Sequence, residues 1–308
     1  MSSTTLSWQT TGAVAQRQSR IRGRVTPQPR SGLVWLASYP RSGNTWTRAF
    51  LHNLFKGMSG DAGTQNINEL TRFTAAVNGR ELYAETLGFN PTDEHRNEIA
   101  AVRHEVQRRA TNQFEGLIFT KTHQALLIDH GSTTINFAVT AGAIYIVRNP
   151  LDVAISYAHH LGCSLDETIA SMGRANAEIP MTETQVHEVI GSWSQHVLSW
   201  THKPHQAIYV MRYEDMLATP ERAFGGLARH LLLSPTPEQL TDAIDRSSFT
   251  TLRAQEESEG FQERSSRPGR FFREGRAGQW KEVLTKEQVT RIVDDHGPQM
   301  AHLGYLPS

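Results

Sequence analysis

The stretch WLASYPRSGNTWTRAFLHNLF, residues Trp35 to Phe55, decides the fold class. It opens inside the uncharged apolar run 33–39, which is short and suits a strand buried on both faces. It then restarts with helical periodicity, with Trp46, Ala49, Phe50 and Leu54 on one face. Between the two, Pro-Arg-Ser-Gly-Asn-Thr supplies a glycine for a sharp turn and hydroxyls at Ser42 and Thr45. A strand, a tight turn and a helix start together form a phosphate cradle, because unpaired N–H groups and the helix dipole both favour an anion there. The common triphosphate loop needs a lysine after its second glycine, and none follows Gly43. The plainer alternative is that Gly43 only permits the bend.

Three more runs read as short buried strands: GLIFTK (116–121), AIYIVR (143–148) and AIYVMR (207–212). Helical patterns separate them. Ile99, Val102 and Val106 share one face, and Val186, Val189, Ile190, Trp193, Val197 and Trp200 are read as another. Thr219-Pro220-Glu221 and Thr236-Pro237-Glu238 each read as an N-cap, a proline at the first helical position and an acid near the positive end. This alternation predicts βαβ units, hence an α/β fold with a central, mainly parallel sheet. With no repeat or linker visible, residues 31–308 are expected to form one domain. The strand ends deliver Arg41, Lys121, Arg148 and Arg212. Parallel strands share one carboxyl edge, where ligands bind at a topological switch point, so four cations there point to a multiply charged anion. Taken singly, each is also what a strand end meeting water commonly carries.

Composition narrows the class. The 308 residues carry 31 Lys+Arg against 31 Asp+Glu, so no general affinity for nucleic acid or membrane is expected. One cysteine, Cys163, excludes an intramolecular disulfide and a thiolate zinc cluster and suits a reducing, cytoplasmic setting. No apolar run approaches the ~20 residues of a membrane span, and no apolar signal core begins the chain. Arg17, Arg20, Arg22, Arg24 and Arg30 all precede the first acid, Asp61, so residues 1–30 are expected to be a disordered basic arm outside the domain.

Three further segments carry chemistry. FTKTHQ (119–124) ends an apolar strand with Lys121 and His123, a charge stabiliser and a base that works near neutral pH. YIVRNPLDVAISYAHH (145–160) places Arg148 at a strand end and Ser156 in the second turn of the following helix, where a guanidinium fork and a hydroxyl converge on a second phosphate. RPGRFFREGRAGQWKEV (267–283) is too rich in Gly and Arg for a packed element and reads as a lid over an anion. The structural alternatives are a core histidine, a surface ion pair and a solvated loop.

YPRSGNTW resembles the phosphosulfate loop of the cytosolic-type sulfotransferases, in the PRSGNTW form of bacterial-type members. KTH (121–123) resembles their catalytic strand end and RNPLDVAISY (148–157) their 3′-phosphate segment. GSWSQHVLSW (191–200), YVMRYEDM (209–216) and FFREGRAGQWKEVLT (271–285) follow as similar blocks in the same order, over roughly residues 33–285. The resemblance implies a P-loop-like, three-layer αβα sandwich. It further implies transfer of a sulfuryl group from 3′-phosphoadenosine 5′-phosphosulfate (PAPS) to a hydroxyl or amine of a small-molecule acceptor. The product is adenosine 3′,5′-bisphosphate (PAP), and no metal is required.

By the same resemblance Arg41, Ser42, Gly43, Asn44 and Thr45 hold the 5′-phosphosulfate, and Trp46 stacks near the adenine. Arg148 and Ser156 take the 3′-phosphate, with Arg273 and the backbone of Glu274 and Gly275 closing over it. Tyr213 and Ser247 are adenine-side contacts, and Phe249 packs on the base. His123 is the general base, while Lys121 and Arg41 stabilise the transition state. The chain departs from the vertebrate pattern in having Arg41 for a lysine, and from the frequent family pattern in having Glu274 for a lysine. The C-terminal dimer motif keeps Lys281 and Thr285 but has Lys286 and Thr290 at its other positions, which leaves a homodimer open. Acceptor-lining candidates are His159, His160, Trp193, Tyr83, Phe89 and Phe137. Two other readings fit the cradle: a nucleoside-triphosphate-dependent small-molecule kinase and a non-catalytic nucleotide-binding protein.

Overall fold

The computed structural model describes residues 31–61, 63, 65–112, 116–263 and 269–307; the expected arm at 1–30 and Arg267 lie outside them. Strand β1 (Ser31–Ser38) leads through the turn into helix α1 (Asn44–Met58). Helices α2 (Leu70–Phe73), α3 (Arg80–Leu87) and α4 (Arg96–Thr111) precede β2 (Gly116–Thr122). The short β3 (Ile128–Asp129) and β4 (Ser132–Thr133) pair antiparallel before β5 (Thr140–Val147), α5 (Pro150–Leu161) and α6 (Leu165–Gly173). Next come β6 (Glu178–Ile179), its antiparallel partner β7 (Glu188–Val189), α7 (Trp193–Thr201) and β8 (Ile208–Arg212). The remaining elements are helices: α8 (Tyr213–Ala218), α9 (Pro220–His230), α10 (Pro237–Arg246), α11 (Phe249–Glu259), α12 (Trp280–Val283) and α13 (Lys286–Leu303).

All four strands expected from the sequence form and, among the described residues, make up the main sheet, in the order β2-β1-β5-β8. β1 and β2 run parallel in a register from Ser31 opposite Gly116 to Ala37 opposite Thr122. From β1 the chain goes first to one neighbour, β2, and later to the other, β5, so the switch point lies at the carboxyl ends of β1 and β5. Ala143 to Val147 of β5 are all buried, as a strand covered on both faces requires. Asn149 caps α5 by accepting from the Leu151 N–H, with Pro150 at the first helical position. One helical reading was wrong: Val186, Val189 and Ile190 do not continue the face of Trp193. Gly191 has φ +64 and Ser192 forms a capping box with Gln195, so α7 starts only at Trp193 and the preceding residues are extended.

The described chain divides into two compact units. The first holds the residues up to Ala37, with Ala75–Ile144 and Arg174–Ile208. In it Tyr83, Ile99, Val106 and Val186 form an apolar cluster. The second holds Ser38–Thr74, Tyr145–Gly173 and Tyr209–Ser308. There α1 packs on α10, Phe50 stacks on Phe224 at 4.2 Å, and Ala49, Ile67, Leu70, Leu252, Phe261 and Phe272 form a core flanked by Trp46, Phe249 and Phe271.

Candidate active site

In the second unit, the turn after β1 and the turn after β5 supply the cradle. Arg41 has φ +65 and Gly43 φ +109, so two left-handed residues reverse the chain within three positions. A Cβ on Gly43 would lie 2.9 Å from the Tyr213 ring, so backbone conformation and space both demand glycine. Gly43 caps α1 with no side-chain acceptor, and the first turn of the helix has no acid. The helix therefore presents its positive end without an internal counter-charge.

Two guanidinium groups meet here. Arg41 Nε donates to Ser156 Oγ at 3.1 Å and Arg41 Nη2 to the Phe271 carbonyl at 3.1 Å, its guanidinium 4.3 Å above the Phe271 ring. Arg148 is 6 % exposed, donates to the carbonyls of Arg41 (3.1 Å) and Arg276 (3.4 Å), and lies 4.3 Å above the Tyr213 ring. Burial, then the Arg148 charge and to a lesser extent Arg273, push Arg41 down to about 10. Ser42 Oγ, Arg148 Nε and Trp46 Nε1 are buried without a hydrogen-bond partner among the described residues. Buried polar groups are rarely left so, and a set of donors like this one suits an anionic ligand.

The segment read as a lid is pinned at both ends by buried carboxylates, which sequence reasoning did not find. Glu256 of α11 accepts from the N–H groups of Phe271 (2.6 Å) and Phe272 (2.8 Å). Asp152 of α5 accepts from those of Gly278 (2.7 Å) and Trp280 (3.1 Å). Asp152 stands in the first turn of α5, where an acid already suits the helix dipole, so nothing in the sequence marked its second role. Arg273 bonds Gln279 Oε1 at 3.1 Å. The Glu274 carboxylate lies 3.8 Å from Arg273 and 3.5 Å from Arg276, both at the surface. Gly275 (φ +64) presses its backbone on Phe249, where a Cβ would come within 2.3 Å of the ring. Ser247 is fully buried and donates to the Ala243 and Ile244 carbonyls at the end of α10. Arg48, 1 % exposed, was also missed: it donates to Thr45 Oγ1 at 3.2 Å and forms a two-bond pair with Glu263 at 2.6 Å.

Other expectations fare unevenly. Arg212 does not join the cation cluster; its guanidinium lies 4.6 Å over the Tyr305 ring and 3.9 Å from Asp215. Trp193 is fully buried and Tyr83 sits in the apolar cluster of the first unit, so both are core residues, while Phe89 is exposed beside His95. His159 is exposed, and burial, Arg273 and Arg41 hold its pKa below the usual histidine value.

In the first unit, the end of β2 is tied down differently. Glu188 of β7 accepts from Thr122 Oγ1 (3.1 Å) and from the His123 N–H (2.9 Å). Burial raises its pKa, against the pull of those two bonds and of the Lys121 charge. On the other side His196 is fully buried, and burial pushes its pKa down to about 3. The ring is therefore neutral at pH 7, and because a carbonyl only accepts, its Nε2–H donates to the His123 carbonyl at 3.1 Å. Gln124 takes the Val189 N–H on its side chain and the Trp200 indole N–H on its carbonyl.

The family described as the sulfotransferase domain matches residues 32–304. Flavonol 3-sulfotransferase of Flaveria bidentis is 24% identical over 286 residues, 84% of this chain and 78% of that one. Luciferin sulfotransferase of Photinus pyralis is 25% identical over 278 residues, 84% and 69%. Sulfotransferase 1B1 of Canis lupus familiaris is 31% identical over 150 residues, which span 47% of this chain and half of that relative. Retinol dehydratase in a complex with retinol and PAP superimposes with a TM-score of 0.62 at 18% identity, covering 89% and 82% of the two chains. A mouse sulfotransferase complexed with PAP gives 0.56 at 17% identity, covering 89% and 84%. The chain belongs to the sulfotransferase domain family.

Proposed function

We propose that the protein moves a sulfuryl group from PAPS to a hydroxyl or amine of a small-molecule acceptor, with residues 31–308 acting as one sulfotransferase domain in the cytoplasm. The observation that carries this is the cradle itself: a helix start capped by Gly43 without a side-chain acceptor, two buried arginines, one with a depressed pKa, and buried donors on Ser42 and Arg148 unpartnered among the described residues. Those groups fit a nucleotide anion with a charge at each end. The exposed thiol of Cys163 suits the reducing setting, and no helix among the described residues is long and apolar enough to cross a membrane.

The donor supplies the sulfuryl group. Arg41, Ser42 and the N–H groups of Gly43, Asn44 and Thr45 hold its 5′ end, and Arg48 keeps the Thr45 hydroxyl aimed. Arg148, Ser156, Arg273 and the backbone of Glu274 and Gly275 hold the 3′-phosphate. The Arg41–Ser156 bond links the two grips. Trp46, Tyr213, Ser247 and Phe249 serve the adenine side. The Phe271 and Arg276 carbonyls, which occupy Arg41 and Arg148, give way to phosphate oxygens. His123 takes the proton of the attacking acceptor, and Lys121 and Arg41 stabilise charge on the transferring group. Arg41 clamps as a planar fork and does not give up its proton.

Titration calorimetry with PAP and with ATP tests the donor, and turnover of labelled PAPS with and without magnesium tests the chemistry. The expected result is PAP binding with magnesium-independent transfer. Tight ATP binding without PAP binding, or a strict need for the metal, would favour a kinase.

A further inference from the structure

We infer that Glu188 is a positioning residue for the transfer, holding the β2 end so that His123 presents its ring in one place. This rests on the reading of His123 as the base. Glu188 is 5 % exposed and lies on a two-residue strand, β7, whose ladder partner is β6, not β2. One oxygen of its carboxylate takes both the His123 N–H and the Thr122 hydroxyl. Thr122 Oγ1 in turn accepts from the Gln124 N–H at 3.0 Å, and the Gln124 side chain accepts from the N–H of Val189, the residue beside Glu188, at 2.8 Å. These contacts close a ring of side chain and backbone around the position that carries the base. His196 fixes the opposite face by donating to the His123 carbonyl.

A carboxylate is a costly way to fill a buried position unless its bonds are needed, because burial penalises its charge. An apolar side chain at 188 would pack the ribbon but leave the His123 N–H and the Thr122 hydroxyl without this acceptor. Losing that acceptor removes an anchor from the His123 N–H, and a displacement of an ångström or so in a reacting group costs rate steeply. The arrangement therefore makes the histidine's position, and not donor affinity, depend on Glu188.

Glu188→Ala and Glu188→Gln in the full chain test this. In Glu188→Ala, kcat is expected to fall about 10- to 100-fold, with PAP affinity by calorimetry within about twofold of wild type. Amide hydrogen exchange at His123 should accelerate at least about tenfold in the same variant. Glu188→Gln keeps a carbonyl that accepts the same two bonds, so its exchange protection and kcat should return to within about threefold. Unchanged kcat and exchange in Glu188→Ala overturn the inference. So do equal losses in both variants, or a parallel loss of PAP binding. Should Glu188→Ala fail to fold, Glu188→Gln decides alone, and a tenfold or greater loss of kcat there (about 1.4 kcal/mol) counts against it. Full turnover in His123→Ala would remove the base reading, and slow His123 exchange in Glu188→Ala would remove the clamp, so the two failures are separable.

Discussion

On the proposed function, the cradle around Arg41 and the strand end around His123 meet opposite demands. In the cradle, buried Ser42 and Arg148 donors have no partner among the described residues, and the arginine forks rest on loop carbonyls. At the strand end, the backbone N–H of His123, its carbonyl and the flanking Thr122 and Gln124 are each met by a buried side chain or by β7. A region that binds a charged ligand gains by leaving groups for that ligand to complete, since replaceable contacts are surrendered cheaply on binding. A region that aims a base gains by being over-determined, since every loose degree of freedom lowers the fraction of productive poses. Binding and chemistry should therefore respond to different mutations.

The largest separation comes from His123→Ala. Turnover should fall by about 10²–10⁴-fold with PAP affinity unchanged, measured by steady-state assay beside calorimetry. Wild-type turnover would erase the contrast. Arg148→Ala should do the reverse. Loss of charge-assisted bonds of about 1.5–3 kcal/mol weakens PAP roughly 10- to 100-fold. Arg148→Lys should recover only part of this because a point charge does not replace the fork. Equal PAP affinity in wild type and Arg148→Ala would show that the cradle is completed by something else.

Acid should weaken the strand-end scaffold. The His196 pKa is about 3 in the fold against 6.5 ordinarily, so between those values the unfolded chain takes a proton that the native chain refuses. Stability is complete above pH 6.5 and falls as pH drops, by up to about 1.4 kcal/mol per unit, or roughly 2 kcal/mol by pH 5. His296, with a pKa pushed by burial to about 4, acts in the same direction. Asp129, held at about 2 by His187 and Arg103 against the opposing effect of burial, adds a loss only below its ordinary 3.8. Urea unfolding at pH 7 and 5 measures the slope, and His196→Asn, which keeps a donor for the His123 carbonyl, should flatten it. An unaltered slope in that variant would assign the acid sensitivity elsewhere.

The smallest effect is expected at Glu274. Its carboxylate is shared by half-buried Arg273 and exposed Arg276 at 3.5–3.8 Å, and pairs so near solvent are worth about 0–1 kcal/mol. Glu274→Gln removes one acid beside Arg273 and Arg276, Arg276 keeping its two-bond pair with Glu282, and should tighten PAP at most about fivefold, more at low salt than at high. Weaker binding would mean that Glu274 supports the lid.

The sequence by itself determined the four strands of the sheet, the Pro150 and Pro237 helix starts, and the glycine in the turn after β1. Those features follow from local rules: apolar runs for buried strands, proline and caps for helix starts, glycine where φ is positive. The extended segment before Trp193 was misread because Val186, Val189 and Ile190 sit at helical spacing, while the stop lies in the conformation of Gly191. Only tertiary structure decided that Ser156 bonds Arg41, that Asp152 and Glu256 pin the lid, and that Glu188 and His196 hold His123. Each of those contacts joins residues far apart in the chain, and a buried charge is placed by its partners and not by its neighbours in sequence.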